Sequence, residues 1–156
     1  MNQISAPLKG KIVAVSTSSR KGKKKTNLAR CELLENKGLD GDAHAGDWHR
    51  QVSLLATESI AKIQEKGLEV APGDFAENIT TTGLKLWKLP LGTQIALGKQ
   101  ALLEVTQIGK ECHDRCAIYH QVGDCVMPRE GIFARVLRGG TIKPGDEISI
   151  ILPAGS

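Results

Sequence analysis

The segment Gly109 to Cys125, GKECHDRCAIYHQVGDC, gathers three of the chain's four cysteines, two of its four histidines, Lys110 and Arg115. A thiolate is a soft ligand, suited to molybdenum or zinc. Cations beside a cysteine stabilise its charged form, and Lys110, His113 and Arg115 flank Cys112 in this role. Three readings compete. A structural zinc would take Cys112, Cys116, Cys125 and one of His113 or His120. The spacings, three residues and then eight, supply at most one loose knuckle where structural zinc sites show two tight ones. Inert buried thiols are the usual fate of a lone cysteine, but polar neighbours on every side oppose burial of all three. A reactive or cofactor-ligating cysteine is the reading that uses the whole segment.

A second constellation runs from Gly38 to Arg50, GLDGDAHAGDWHR. Its glycines permit tight bends, while Asp42, His44, Asp47, His49 and Arg50 supply polar groups. Asp42 and His44 could share a metal; hydrogen bonds to the loop's own backbone are the favoured alternative. Arg50 precedes a buried segment, where it could hold a phosphate or pair with Glu77. In the third constellation, Gly73 to Thr82, Glu77 and Asn78 open a strand and can brace an adjacent loop. Arg20, Lys21, Lys23, Lys24 and Lys25 crowd one further loop, a solvated basic turn or an anion site. Aromatic residues make up 3% of the chain. The basic loop therefore lacks the stacking groups that single-stranded nucleic acid requires, and no nucleic-acid partner is expected.

Strands must carry these loops. KIVAVST, Lys11 to Thr17, is rich in β-branched residues and predicts a first strand. A second is predicted over Arg30 to Glu35, stopped by Asn36-Lys37-Gly38. Arg50 to Ala56 reads as a buried strand, after which Thr57 caps a helix to about Lys66 with Ile60 and Ile63 inward and Gly67 ending it. Pro72-Gly73-Asp74 makes a turn into a strand over Asn78 to Thr82. Gln94 to Leu97 and Ala101 to Gln107 pair as a hairpin around Gly98-Lys99. Gly131 to Leu137 shows helical spacing, stopped by Gly139-Gly140. Pro144-Gly145-Asp146 turns into a last strand, Glu147 to Leu152. Many short strands with frequent turns predict a mainly β, antiparallel barrel-like domain with a few short helices. A βαβ sheet is disfavoured, because strands do not alternate with long helical segments.

With 156 residues, 40% of them hydrophobic, one domain is expected over 1–156, with its core at about 10–152. No apolar run is long enough for a helix to span a bilayer, so no membrane partner is expected. The start, MNQISAPLKGKIVAVS, lacks the charged region and long apolar core of a secretory signal. The expected location is the cytoplasm, where thiols stay reduced.

GLDGDAHAGDWHRQVSLL, PGDFAENITTTGL, VTQIGKECHDRC and the closing GIFARVLRGGTIKPGDEI resemble, in sequence and order, the MOSC family, named for the C-terminal domain of molybdenum cofactor sulfurase. The resemblance covers roughly Gly10 to Ile150 and implies a β-barrel. It also implies a cysteine that ligates molybdenum in cofactor-binding members. Cys112 falls where stand-alone members carry theirs. The mitochondrial amidoxime reductases, which resemble this domain, have Cys-Ser-Arg-Cys, whose second cysteine corresponds to Cys116 with one residue more between the two here. Cys112 is the assigned catalytic and metal-ligating residue, and Cys116 the alternative metal ligand.

The resemblance implies a molybdenum–pterin cofactor, molybdopterin. Lys24, Lys25 and Arg50 are the candidates for its phosphate. Asp42, His44 and Asn78 are further candidate cofactor-binding residues, with Lys110, His113 and Arg115 around the thiolate. No pyridoxal-phosphate desulfurase sequence occurs in these residues, so the leading expectation is a cofactor carrier or sulfur-handling module in molybdoenzyme maturation, partnered by cofactor-biosynthesis proteins. The alternatives are a molybdenum-dependent reductase of N-hydroxylated compounds, served by an electron donor, and a zinc-stabilised interaction domain without cofactor. Cys112, Asp42, His44 and Arg50 are expected to line one cleft.

Overall fold

The computed structural model describes residues 8–20, 24–109 and 126–154. The cysteine segment, with Cys112, Cys116, Cys125, Lys110, His113 and Arg115, lies outside the described residues. Eleven strands and two short helices are described: β1 Lys9–Thr17, β2 Thr26–Leu28, β3 Cys31–Leu34, β4 Gly38–Leu39, β5 Val52–Ala56, α1 Thr57–Gln64, β6 Ile79–Thr82, β7 Gln94–Leu97, β8 Ala101–Ile108, α2 Met127–Glu130, β9 Ile132–Arg138, β10 Gly140–Ile142 and β11 Glu147–Ile151. No helix among the described residues is long and apolar enough to cross a membrane.

Seven strands close into a barrel in the order β1-β11-β7-β8-β9-β5-β6, with β6 returning to β1. Closure depends on β1, which pairs with β6 along one edge and with β11 on the other through Lys9–Lys11. Its far end, Val15–Thr17, pairs with β2 instead. A closed sheet leaves no free edge around the core. Among the described strands only β5 and β6 run parallel, joined across α1, so one βαβ unit interrupts the otherwise antiparallel order. A smaller sheet, β10-β3-β4, lies against it.

Ile12, Val15, Leu54, Ile79, Ile95, Leu103, Ile132 and Val136 fill the barrel. Outside it, Leu55, Ile60, Ile63, Phe75, Met127 and Phe133 form a second cluster beneath α1. Each fully buried Leu or Ile contributes about 1.5–3 kcal/mol relative to exposure. β5 is apolar on both faces because it is covered on both: Leu54 points into the barrel and Leu55 toward α1.

Two expectations need correction. The stretch Gly131 to Leu137 is a strand, not a helix. Its apolar run satisfies two cores at once, Ile132, Ala134 and Val136 facing the barrel and Phe133 the outer cluster. A short, doubly buried strand has no period-2 signature to oppose the helical count. Thr57 does not cap α1: the N-cap is Ala56, without a side-chain cap, and the Thr57 hydroxyl donates to Glu58 instead. The other predicted elements stand, with Ile60 and Ile63 inward and the hairpin registered as Leu97↔Ala101.

Candidate functional site

Lys25 is a lysine whose side chain is fully buried, and Asp42 explains how. The ammonium donates to Asp42 Oδ1 at 2.7 Å, both side chains being 0% exposed. Asp42 Oδ1 also accepts the Ser18 amide at 3.1 Å, and Oδ2 the His44 amide at 3.0 Å. Burial alone would raise the Asp42 pKa; His44, Lys25 and the Ser18 amide outweigh it and hold the carboxyl well below the usual range. The favoured alternative for Asp42, hydrogen bonding to backbone, is therefore present, joined by a buried cation.

The strand-opening loop places Lys25. Lys25 N donates to Gly73 O at 2.9 Å, and Gly73, at φ +94°, approaches so closely that a Cβ there would lie 2.5 Å from Lys25 O. The Glu77 carboxylate braces that turn, accepting the amides of Gly73 at 3.0 Å and Phe75 at 3.2 Å and the Thr80 hydroxyl at 2.8 Å. Burial pushes the Glu77 carboxyl up. Asn78 stitches β5 to β1: its Oδ1 accepts the Ser53 amide and its Nδ2 donates to Ser16 O. The expected bracing role of Glu77 and Asn78 is what the geometry contains. Arg50 does not pair with Glu77.

Arg50 instead lies against aromatic rings, its guanidinium carbon 4.8 Å from the Trp48 ring centre and 5.5 Å from that of Phe133. Its Nε is buried without a hydrogen-bond partner, and no described carboxylate pairs with it. Such a group is energetically unfavourable unless a ligand meets it. Lys24 is exposed, and Lys25, neutralised by Asp42, is not a free cation.

The polar loop is tied to β8, the strand that leads into the cysteine segment. His49 Nε2 and Gln107 Oε1 meet at 2.9 Å, the Thr106 hydroxyl donates to His49 O, and Gln107 Nε2 donates to Gly109 O at 2.8 Å. Gly109 N bonds Gly131 O at 2.6 Å, joining the two flanks of residues 110–125. On the returning side, Glu130 of α2 accepts from Ser59 and Lys62, both at 2.6 Å. Asp42, His44 and Lys25 are thus one cluster, and His49 and Gln107 bind the same loop to the root of the cysteine segment. Cys112, expected to share a cleft with Asp42, His44 and Arg50, lies outside the described residues.

Sequence reasoning missed Trp48, which carries both Arg50 and His44. Its signal was available: a tryptophan in a polar, glycine-rich loop of an aromatic-poor chain. Cys31 is half-buried in the small sheet; burial, then the Asp40 charge, push its thiol up and keep it protonated. No group of three metal-ligating side chains occurs among the described residues.

A closed, mainly antiparallel barrel with a buried Lys25–Asp42 pair defines a small β-barrel domain. The MOSC domain family model matches residues 40–149, and the chain belongs to that family. The structure is similar to that of YuaD from Bacillus subtilis, with TM-score 0.78 at 19% identity, covering 92% of this chain and 96% of that one. It is also similar to YiiM from Escherichia coli (TM-score 0.66, 20% identity, 96% and 73% covered) and to YiiM from Geobacillus stearothermophilus (0.62, 23%, 91% and 73%). These likenesses establish the fold. No curated protein matches the chain.

Proposed function

We propose that this MOSC domain binds a molybdenum–pterin cofactor, holding the metal through Cys112 and acting as a cofactor carrier or sulfur-handling module. The observation that carries this reading is Arg50, whose buried Nε has no partner. Its loop is tied to the root of the cysteine segment through His49 and Gln107. The two donor sets match the two ends of such a cofactor, a soft metal for the thiolate and an anionic phosphate for a guanidinium. When bound, the cofactor would supply two-electron redox or sulfur-transfer capacity.

The chain's own residues orient and exclude. Arg50, its guanidinium carbon within 5.5 Å of both the Trp48 and Phe133 ring centres, is restrained by these rings, so less freedom is lost on binding. Lys24 adds an exposed charge. Lys25 and Asp42 set the shape of the loop without contributing net charge. In this reading the domain works as a single unit in the cytoplasm, exchanging cofactor with biosynthesis proteins or a client enzyme.

Loading Cys112→Ser, Cys116→Ser and Cys31→Ser variants with cofactor side by side, and counting molybdenum and pterin per chain, tests the reading. Cys112→Ser should lose metal, because a serine hydroxyl is a harder donor that stays protonated near neutral pH. Cys31→Ser should retain it. Full retention in both Cys112→Ser and Cys116→Ser would remove cysteine ligation and the proposed role with it.

A further inference from the structure

His44 Nδ1 lies 3.1 Å from Lys25 Nζ and 3.6 Å from Asp42 Oδ2. A lysine ammonium has protons to give and no lone pair to offer. At 3.1 Å it donates, and Nδ1 accepts. A neutral imidazole that accepts at Nδ1 carries its proton on Nε2. The opposite tautomer would aim an N–H at the ammonium and reach Asp42 only at 3.6 Å, beyond hydrogen-bond range. Asp42 holds the arrangement from both sides, accepting the Lys25 ammonium on Oδ1 and the His44 amide on Oδ2.

The ring is also fixed in orientation. Its plane lies within 5° of the Trp48 indole, with centroids 6.5 Å apart, and Trp48 Nε1 donates to His44 O at 2.7 Å. The imidazole is 24% exposed, and no described residue partners Nε2. Its remaining polar atom, Nε2, is therefore a donor, and the ring stacks on the same indole that carries Arg50.

We propose that His44 is a hydrogen-bond donor of fixed tautomer, presenting Nε2–H to an acceptor atom of the bound ligand, with Lys25 and Asp42 as the positioning residues that enforce it. The ligand atom is a carbonyl oxygen or an unprotonated ring nitrogen, both of which a pterin offers; this choice of ligand rests on the cofactor reading above. A ligand placing its own N–H there would leave two donors opposed, and the site discriminates against it.

Two measurements on the full chain decide the proposal. The imidazole nitrogen spectrum, with His44 assigned by its loss in His44→Gln, should show the Nε2–H form. In Lys25→Met with Asp42→Asn, where no isolated charge is left buried, the spectrum should become a mixture of tautomers. Release of pterin from molybdopterin-loaded protein gives the second readout. Glutamine can place an amide donor near the Nε2 position, whereas asparagine reaches only the Nδ1 position. His44→Gln should stay within about threefold of the parent, and His44→Asn should release pterin about tenfold faster. An Nδ1–H form in the parent, an unchanged spectrum in the double variant, or equal release from both single variants would overturn the proposal. A parent chain that retains no pterin would sink the cofactor reading, and the imidazole spectrum alone then decides the role of His44.

Discussion

His49 and Gln107, 58 residues apart in sequence, join the Gly38–Arg50 loop to β8 through a 2.9 Å contact between Nε2 and Oε1. Because Gln107 also donates to Gly109 O, the same carboxamide touches both the loop and the start of the cysteine segment. Gln107→Ala removes both contacts. As an exposed pair it should cost only about 0.5–1.5 kcal/mol in denaturant unfolding. Molybdenum retained per chain should nevertheless fall well below that of Cys31→Ser. Retention equal to that control would show that the contact does not position the site.

Asp42 makes stability pH-dependent. Its folded pKa is depressed below the ordinary value of 3.8, so its contribution is present above that pH and lost as pH falls through the folded value. Urea unfolding from pH 6 down to pH 3 should show the parent losing stability relative to Asp42→Asn. At neutral pH Asp42→Asn should cost about 3–5 kcal/mol, because it leaves the Lys25 ammonium buried without its counter-charge. A parallel pH dependence in parent and variant would refute the assignment.

Glu77 contributes with the opposite sign. Its folded pKa is raised, so its contribution is full below the unfolded value and declines as pH rises through the folded one. The stability difference between the parent and Glu77→Gln should therefore shrink from about pH 4 upward. A difference that grows over that range contradicts the burial argument.

Arg50→Met should keep the packing on Trp48 and Phe133 while removing a charge that has no described counter-ion. Stability should change by less than about 1 kcal/mol or rise. Pterin retention should fall at least about tenfold, with a weaker dependence on salt. Unchanged retention at low and high salt would assign Arg50 to packing alone.

Gly73→Ala and Gly41→Ala separate backbone strain from close approach. Both glycines have positive φ, +94° and +83°, but a Cβ at Gly41 meets open space while one at Gly73 lies 2.5 Å from Lys25 O. Gly41→Ala should cost about 1–2 kcal/mol from its φ alone. Gly73→Ala should cost distinctly more and disturb the Lys25–Asp42 pair. Equal unfolding midpoints would mean that the Gly73–Lys25 contact yields without consequence.

Most strands were legible because local signals agree: β-branched runs bounded by glycine, proline and asparagine turns, as in Lys11–Thr17 and the hairpin at Gly98-Lys99. The ordered motifs around Asp42, Glu77 and Cys112 also marked the family, whose model matches residues 40–149. Tertiary structure decided the rest. β9 is a strand because two separate cores claim adjacent residues, Ile132 and Phe133, and no local period records that. The parallel pairing of β5 and β6 comes from closing the barrel across α1. Above all, Lys25 is, by sequence alone, one more cation of a basic loop. Its burial against Asp42, the acceptor role it imposes on His44, and the absence of a counter-ion for Arg50 among the described residues depend on which charges meet across tens of residues. Residue types set which groups were available; three-dimensional packing set which charges were neutralised, as at Lys25, and which have no described counter-ion, as at Arg50.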